Sequence, residues 1–204
     1  MKLIRHPLAC LAVILASSTS ADAAVTVLNA NLSGANEVPA VTTPATGTAR
    51  ITFDDATNIL TIQAAFSGLL GNAAAAHLHC CSGPLGTAPV ATPMPAFPGF
   101  PLGVTSGTYS GSLNLTLASS FNPAFVTANG GTVGTARTAL VNGLLTNRAY
   151  LNIHSTVFPG GEIRGQLISA VPESATWAMM LIGFGAVGYS LRRRRGEVKL
   201  NHAV

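Results

Sequence analysis

Histidine suits a transition metal at neutral pH, because its uncharged imidazole carries a lone pair on one ring nitrogen. Of the chain's five histidines, His6 and His202 lie near the ends, and His77, His79 and His154 lie in the middle. The middle three stand in two short stretches, AHLHCC over residues 76–81 and YLNIH over residues 150–154. Side chains alternate between the two faces of a strand. On strands, His77 and His79 therefore share one face, with Ala76 and Leu78 on the other. In the second stretch Tyr150, Asn152 and His154 share a face, and Leu151 and Ile153 turn to the core. Two imidazoles at i and i+2, with a third from another strand, suit copper or zinc. The competing reading is a solvated polar face whose histidines make ordinary hydrogen bonds, and the spacing alone does not choose between the two. The expected ligands are His77, His79 and His154, with Cys81, Asn152, Glu162 and Arg164 as supporting polar residues.

Cys80 and Cys81 follow the histidine pair directly. In strand geometry Cys81 joins the histidine face and Cys80 turns inward. Four states stay open: a vicinal disulfide, intermolecular links, metal ligation, or two inert thiols. No G-x-S-x-G nucleophile motif and no Gly-rich phosphate loop occurs in the sequence. No catalytic residue is assigned, and a non-enzymatic module is expected.

The elements that must position these residues read as β-strands. Alternation over residues 48–53 and 59–66 flanks a turn-rich stretch at 54–58, the pattern of a hairpin. Residues 109–117 alternate as well. Residues 148–154 and 162–168 flank a second hairpin loop at 155–161. There Glu162, Arg164 and Gln166 share a face opposite Ile163 and Leu167. Ala136, Leu140, Val141 and Leu144 follow helical spacing, so a short helix is expected over 136–145. Residues 82–103 hold six of the twelve prolines. A central strand does not tolerate them, and the stretch reads as a long surface loop. Glu37, Val38 and Pro39 read as an edge segment. The fold class is all-β: a single antiparallel β-sandwich domain over residues 24–170, large enough to bury a core without staples.

Charge is confined to the ends. The net charge of +4 comes from the termini, because residues 24–170 hold four bases (Arg50, Arg137, Arg148, Arg164) and four acids (Glu37, Asp54, Asp55, Glu162). A basic pI produced in this way does not point to nucleic acid. Lys2 and Arg5, an apolar run over 8–16 and an A-x-A site ending at Ala23 read as a signal peptide over residues 1–23. Near the other end, the 18 residues 174–191 carry no charge and are followed by Arg192, Arg193, Arg194 and Arg195. This length falls at the lower end of the range that spans a bilayer. The arginines place the following residues 196–204 on the cytoplasmic side as a short tail. A transmembrane-like helix is therefore expected, with the body outside the cytoplasm.

Residues 171–195, with Pro172, Glu173, Ser174, Trp177, Ala178 and the four arginines, resemble the bacterial PEP-CTERM sorting signal of the P-E-P-x-x-W-A subtype. Ser174 stands where that subtype has its second proline. The resemblance implies recognition by an exosortase and transient anchoring in the inner membrane. Delivery to the cell surface or extracellular matrix of a Gram-negative bacterium would follow.

A second resemblance covers the body. ANLSGANEVPAVTTPATGTARITFD (residues 30–54), AHLHCC and AYLNIHSTVFPGGEIRGQL (residues 149–167) are similar to the CHRD domain, named for its occurrence in chordin. The resemblance implies a β-sandwich of immunoglobulin-like or superoxide-dismutase-like architecture in a secreted protein. Its recurrent polar positions fall on Glu37, His77, His79, Asn152, His154, Glu162 and Arg164. The expected function is an exported envelope or matrix module with a polysaccharide or envelope protein as partner. The alternative is a secreted copper or zinc protein, with a redox enzyme among its forms.

Overall fold

The structure, a computed structural model, describes residues 25–83, 86–169 and 173–200. The signal-peptide expectation with its cleavage at Ala23, Pro172 of the sorting motif, and residues 201–204 lie outside the described residues.

Alternation builds the first half of the sheet. In β1 (Val25–Ser33) Leu28, Ala30 and Leu32 are buried, while Asn29 and Asn31 are exposed. β2 (Thr46–Asp54) and β3 (Ile59–Ser67) pair in unbroken register, which brings Ala49, Ile51 and Phe53 inward beside Leu60, Ile62 and Ala64. The Asp54 carboxylate shapes their connection by accepting from the amides of Ala56 and Thr57, at 3.0 and 3.3 Å. Asn58 then turns the chain with φ of 57°, a conformation asparagine tolerates better than most residues. The expected hairpin forms.

β4 (Ala73–Cys80), β5 (Gly107–Asn114), β6 (Ala149–Ser155), β7 (Ile163–Gln166) and β8 (Ile168–Ser169) complete one antiparallel sheet. Its order is β4-β6-β7-β1-β2-β3-β5, with β8 beside β1. β7 meets β1 through a single residue pair, Arg164 opposite Ser33. The sheet curls so that both of its wings contribute to one apolar core, from Leu28, Ile51, Leu60 and Ile62 to Leu78, Leu151, Ile153 and Ile163. Burying each such side chain contributes about 1.5–3 kcal/mol. The architecture is sandwich-like, as expected, but a continuous curled sheet makes it. β5 ends earlier than the alternation over 109–117 implies, because the Asn114 side chain accepts from the Thr116 amide at 2.9 Å and turns the chain.

Two helices close the core. α1 (Pro123–Ala128) starts on Asn122, whose side chain accepts from the Ala124 amide, and it buries Phe125. α2 (Val133–Leu145) starts earlier than its apolar spacing indicates, because Thr132 and Thr135 form a reciprocal capping box. It buries Ala136, Leu140, Gly143 and Leu144.

Two expectations are corrected. The proline-rich segment is not simply a surface loop: Ala91, Thr92, Phe97 and Phe100 are buried. It docks along β4, with Ala76 bridged to Ala96 and His79 to Val90. Proline keeps it out of regular strand geometry, yet the carbonyls of Pro89 and Pro95 still accept from the amides of Cys80 and Ala76. The second correction concerns the C-terminal segment, which is helical as α3 (Glu173–Leu200). Among the described residues no helix is long and apolar enough to cross a membrane. Gly183, Gly185, Gly188, Ser190 and Thr176 dilute the apolar stretch, and the arginines cut it short.

Candidate metal centre

β4 and β6 lie side by side with His77 opposite Asn152, His79 opposite Tyr150 and Ala75 opposite His154. β7 continues the row with Arg164 opposite Asn152. This register carries His77, His79 and His154 onto one face. The donor atoms of the three imidazoles lie within 4.8 Å of one another, and His77 Nδ1 is 3.2 Å from His79 Nε2. The ring centroids of His77 and His154 are 4.7 Å apart, those of His79 and His154 5.8 Å. One ion bound at 2.0–2.1 Å to each nitrogen needs nitrogens about 3.3–3.6 Å apart. The 3.2 Å between His77 Nδ1 and His79 Nε2 is close to this value, and the whole set lies within 4.8 Å.

Backbone carbonyls orient the rings. His79 Nδ1 donates to the Ala88 carbonyl at 2.8 Å, and His154 Nδ1 donates to the Pro159 carbonyl at 2.9 Å. With the proton on Nδ1, each ring keeps its lone pair on Nε2. That is the outer support usual for metal-binding imidazoles. His154 Nε2 and His77 Nε2 are buried without a hydrogen-bond partner.

The face is not the solvated stripe of the competing reading. His77, His79 and His154 are 3%, 8% and 8% exposed, because the proline-rich segment and the 155–161 turn cover them. Burial pushes the His77 pKa down to about 3, helped by His154 and His79 and opposed by the Pro95 carbonyl. Burial pushes His79 down to about 4, against the Ala88 carbonyl and with help from His154 and Arg164. His154 is lowered by burial, opposed by its bond to Pro159. All three are therefore held neutral, the form in which imidazole binds a metal.

A wider polar network surrounds the triad. The Tyr150 ring stacks on His79 at 4.8 Å and 6°, and the Arg164 guanidinium lies 4.6 Å from the Tyr150 ring centroid. The Tyr150 hydroxyl accepts from the Ala88 amide at 3.1 Å. Arg164 donates to the carbonyls of Asn36 and Gly86. Glu162 is fully buried, and its Oε1 accepts from Thr43 Oγ1 and the Leu70 amide, both at 2.7 Å. Glu37, expected on an edge, lies inside. Burial raises its pKa to about 7, against the pull of Arg164 and a bond from Asn152. Gly161, at φ of 128°, admits this approach: a Cβ there would stand 2.6 Å from Asn152 Nδ2 and 2.7 Å from Glu37 Oε1. Asn152, Glu162 and Arg164 thus occupy the same buried face as the triad without belonging to its donor set.

Of the four states left open for the cysteine pair the structure has the vicinal disulfide, and the placement of Cys81 on the histidine face is corrected. Cys81 is bonded to Cys80, and its sulfur lies 3.4 Å from the Ala139 carbonyl of α2. The pair turns away from the histidines because it packs over Gly143, where a Cβ would clash with Cys80 Sγ and stand 2.8 Å from Cys81 Sγ. Sequence reasoning also missed the supporting groups, namely the Ala88 and Pro159 carbonyls and the Tyr150 hydroxyl. The hairpin turn at 155–161 hinted at the second of these, whereas nothing in the sequence marked Ala88.

No curated protein and no solved structure matches the chain. The family model of the CHRD domain matches residues 28–167, which takes in most of β1, all of β2 through β7 and the whole histidine face, and the chain belongs to the CHRD domain family.

Proposed function

We propose that this CHRD module is an exported, non-enzymatic surface or matrix protein whose three-histidine centre holds one copper or zinc ion. The observation that carries the metal reading is the convergence of three buried imidazoles, two of them with Nδ1 tied to a backbone carbonyl. A polar stripe with no ligand gains nothing from burying three rings with two nitrogens unpartnered. Each such group costs about 1–3 kcal/mol. A metal bound at the triad gives His154 Nε2 a partner and cross-links β4 to β6.

The test is calorimetric titration of the protein with copper and with zinc, alongside His79→Ala. The expected result is one ion per chain in the wild type and none in the variant; identical traces would end the metal reading.

Export and sorting rest on the two ends of the chain. The Lys2–Arg5 start and the Ala23 site support secretion, and Glu173, Ser174, Trp177, Ala178 and the arginine cluster support recognition by an exosortase. Helix α3 leaves Leu181, Ile182, Phe184 and Val187 exposed, which suits contact with the inner membrane during export. The surface partner is a matrix polysaccharide or an envelope protein. Mass spectrometry of the surface form checks the sorting. Peptides should stop near Trp177, and a surface form retaining Arg192 to Arg195 would contradict it.

A further inference from the structure

Resting on the metal reading above, we propose that the His77, His79 and His154 centre selects a monovalent soft ion, copper(I), over zinc and copper(II). The first ground is the charge of the donor set. Among the described residues the grouped donors are three imidazoles, with no carboxylate and no thiolate. Cys80 and Cys81, the nearest sulfurs in sequence, are closed in a disulfide with each other. Neutral donors leave the full charge of the ion uncompensated.

The second ground is burial. The three ligands are almost fully covered. The cost of moving an ion out of water rises as the square of its charge, so a divalent ion costs about four times as much as a monovalent one of the same size.

The third ground is Arg164. It acts on His79 as a neighbouring positive charge and stands against the ring that stacks on His79. A fixed positive charge repels a divalent ion twice as strongly as a monovalent one at the same place. Glu37 is paired electrostatically with Arg164 and bonded by Asn152, and Glu162 Oε1 is engaged by Thr43 and Leu70, so neither carboxylate is among the donors grouped at the triad.

The fourth ground is coordination number. Copper(II) favours a tetragonal set, and zinc held by three histidines takes a water as its fourth ligand, which this covered face must admit before zinc is satisfied. Three converging nitrogens on two paired strands match the trigonal preference of copper(I).

The experiment uses the full chain without a histidine tag. Under anaerobic conditions copper(I) is titrated against bicinchoninate, and silver(I) serves as a redox-silent surrogate. Zinc is titrated against a chromophoric indicator and copper(II) against nitrilotriacetate. Copper(I) and silver(I) should each bind at one per chain, with copper(I) at least about a hundredfold tighter than zinc. Arg164→Gln should narrow that gap, because its loss helps the divalent ion more, while Arg164→Lys should keep it. If Arg164→Gln does not fold, the wild-type affinity ratio decides alone. Zinc or copper(II) binding as tightly as copper(I) would overturn the selectivity and leave the metal centre standing. Absence of binding by every ion, or binding unchanged in His79→Ala, would overturn both.

Discussion

His79 Nδ1 lies 2.8 Å from the carbonyl oxygen of Ala88, and this bond ties a ring of the triad directly to the proline-rich segment. It sets the tautomer of His79 and aims Nε2 at His77. The segment is held in turn by Tyr150, whose hydroxyl accepts from the Ala88 amide at 3.1 Å.

Tyr150→Phe should therefore keep the ring stacked on His79 but remove one of the bonds that hold Ala88 in place. Metal affinity should fall about 10- to 100-fold, the usual effect of losing an outer-shell partner. Stability without metal should fall by only about 1 kcal/mol. Metal titration and chemical denaturation of the same variant separate the two effects.

The pH dependence of stability follows from four groups. His77, His79 and His154 have folded pKa values below their usual one, toward about 3 for His77 and about 4 for His79. The unfolded chain therefore binds more protons, and the stability they confer is full above about pH 6.5 and is lost as pH falls toward the folded values. Glu37, raised to about 7, works the other way: its contribution is full below its unfolded value and is lost as pH rises through 7. Three histidines outweigh one carboxyl. The Tm of the metal-free protein should decline from pH 6.5 to 4, most steeply near the ordinary Glu37 value of 4.5, where the unfolded carboxyl protonates too and its offset ends. A Tm that is flat or rises over that range would contradict the neutral, buried triad.

Gly143→Ala tests the packing of the cysteine pair. The new methyl group would run into both sulfurs, and overpacking of this kind costs about 1–3 kcal/mol. Equilibrium denaturation should show that loss, with the metal stoichiometry unchanged because the pair stands outside the triad.

Leu151→Asp tests the strand face opposite the histidines. Leu151 is fully buried, so a carboxylate there costs several kcal/mol. Circular dichroism should show loss of the β spectrum.

Much of this was legible because it depends on period. Alternation placed Leu151 and Ile153 in the core and His154 with Tyr150 and Asn152 on the other face, and one register then gathered the triad. The cover over that face was not legible. Burial of Glu37, Glu162 and Arg164 depends on where irregular segments come to rest, and proline content showed only that residues 82–103 are not a strand. Cys81 was misplaced because strand alternation was extended past Cys80, where the chain leaves β4 and packs on α2.

The most direct test of the metal centre is elemental analysis of the protein purified without a histidine tag, beside His154→Ala prepared in the same way. One equivalent of copper or zinc in the wild type and none in a folded His154→Ala is the predicted result. Equal metal content in the two, or none in the wild type after loading and desalting, would contradict it.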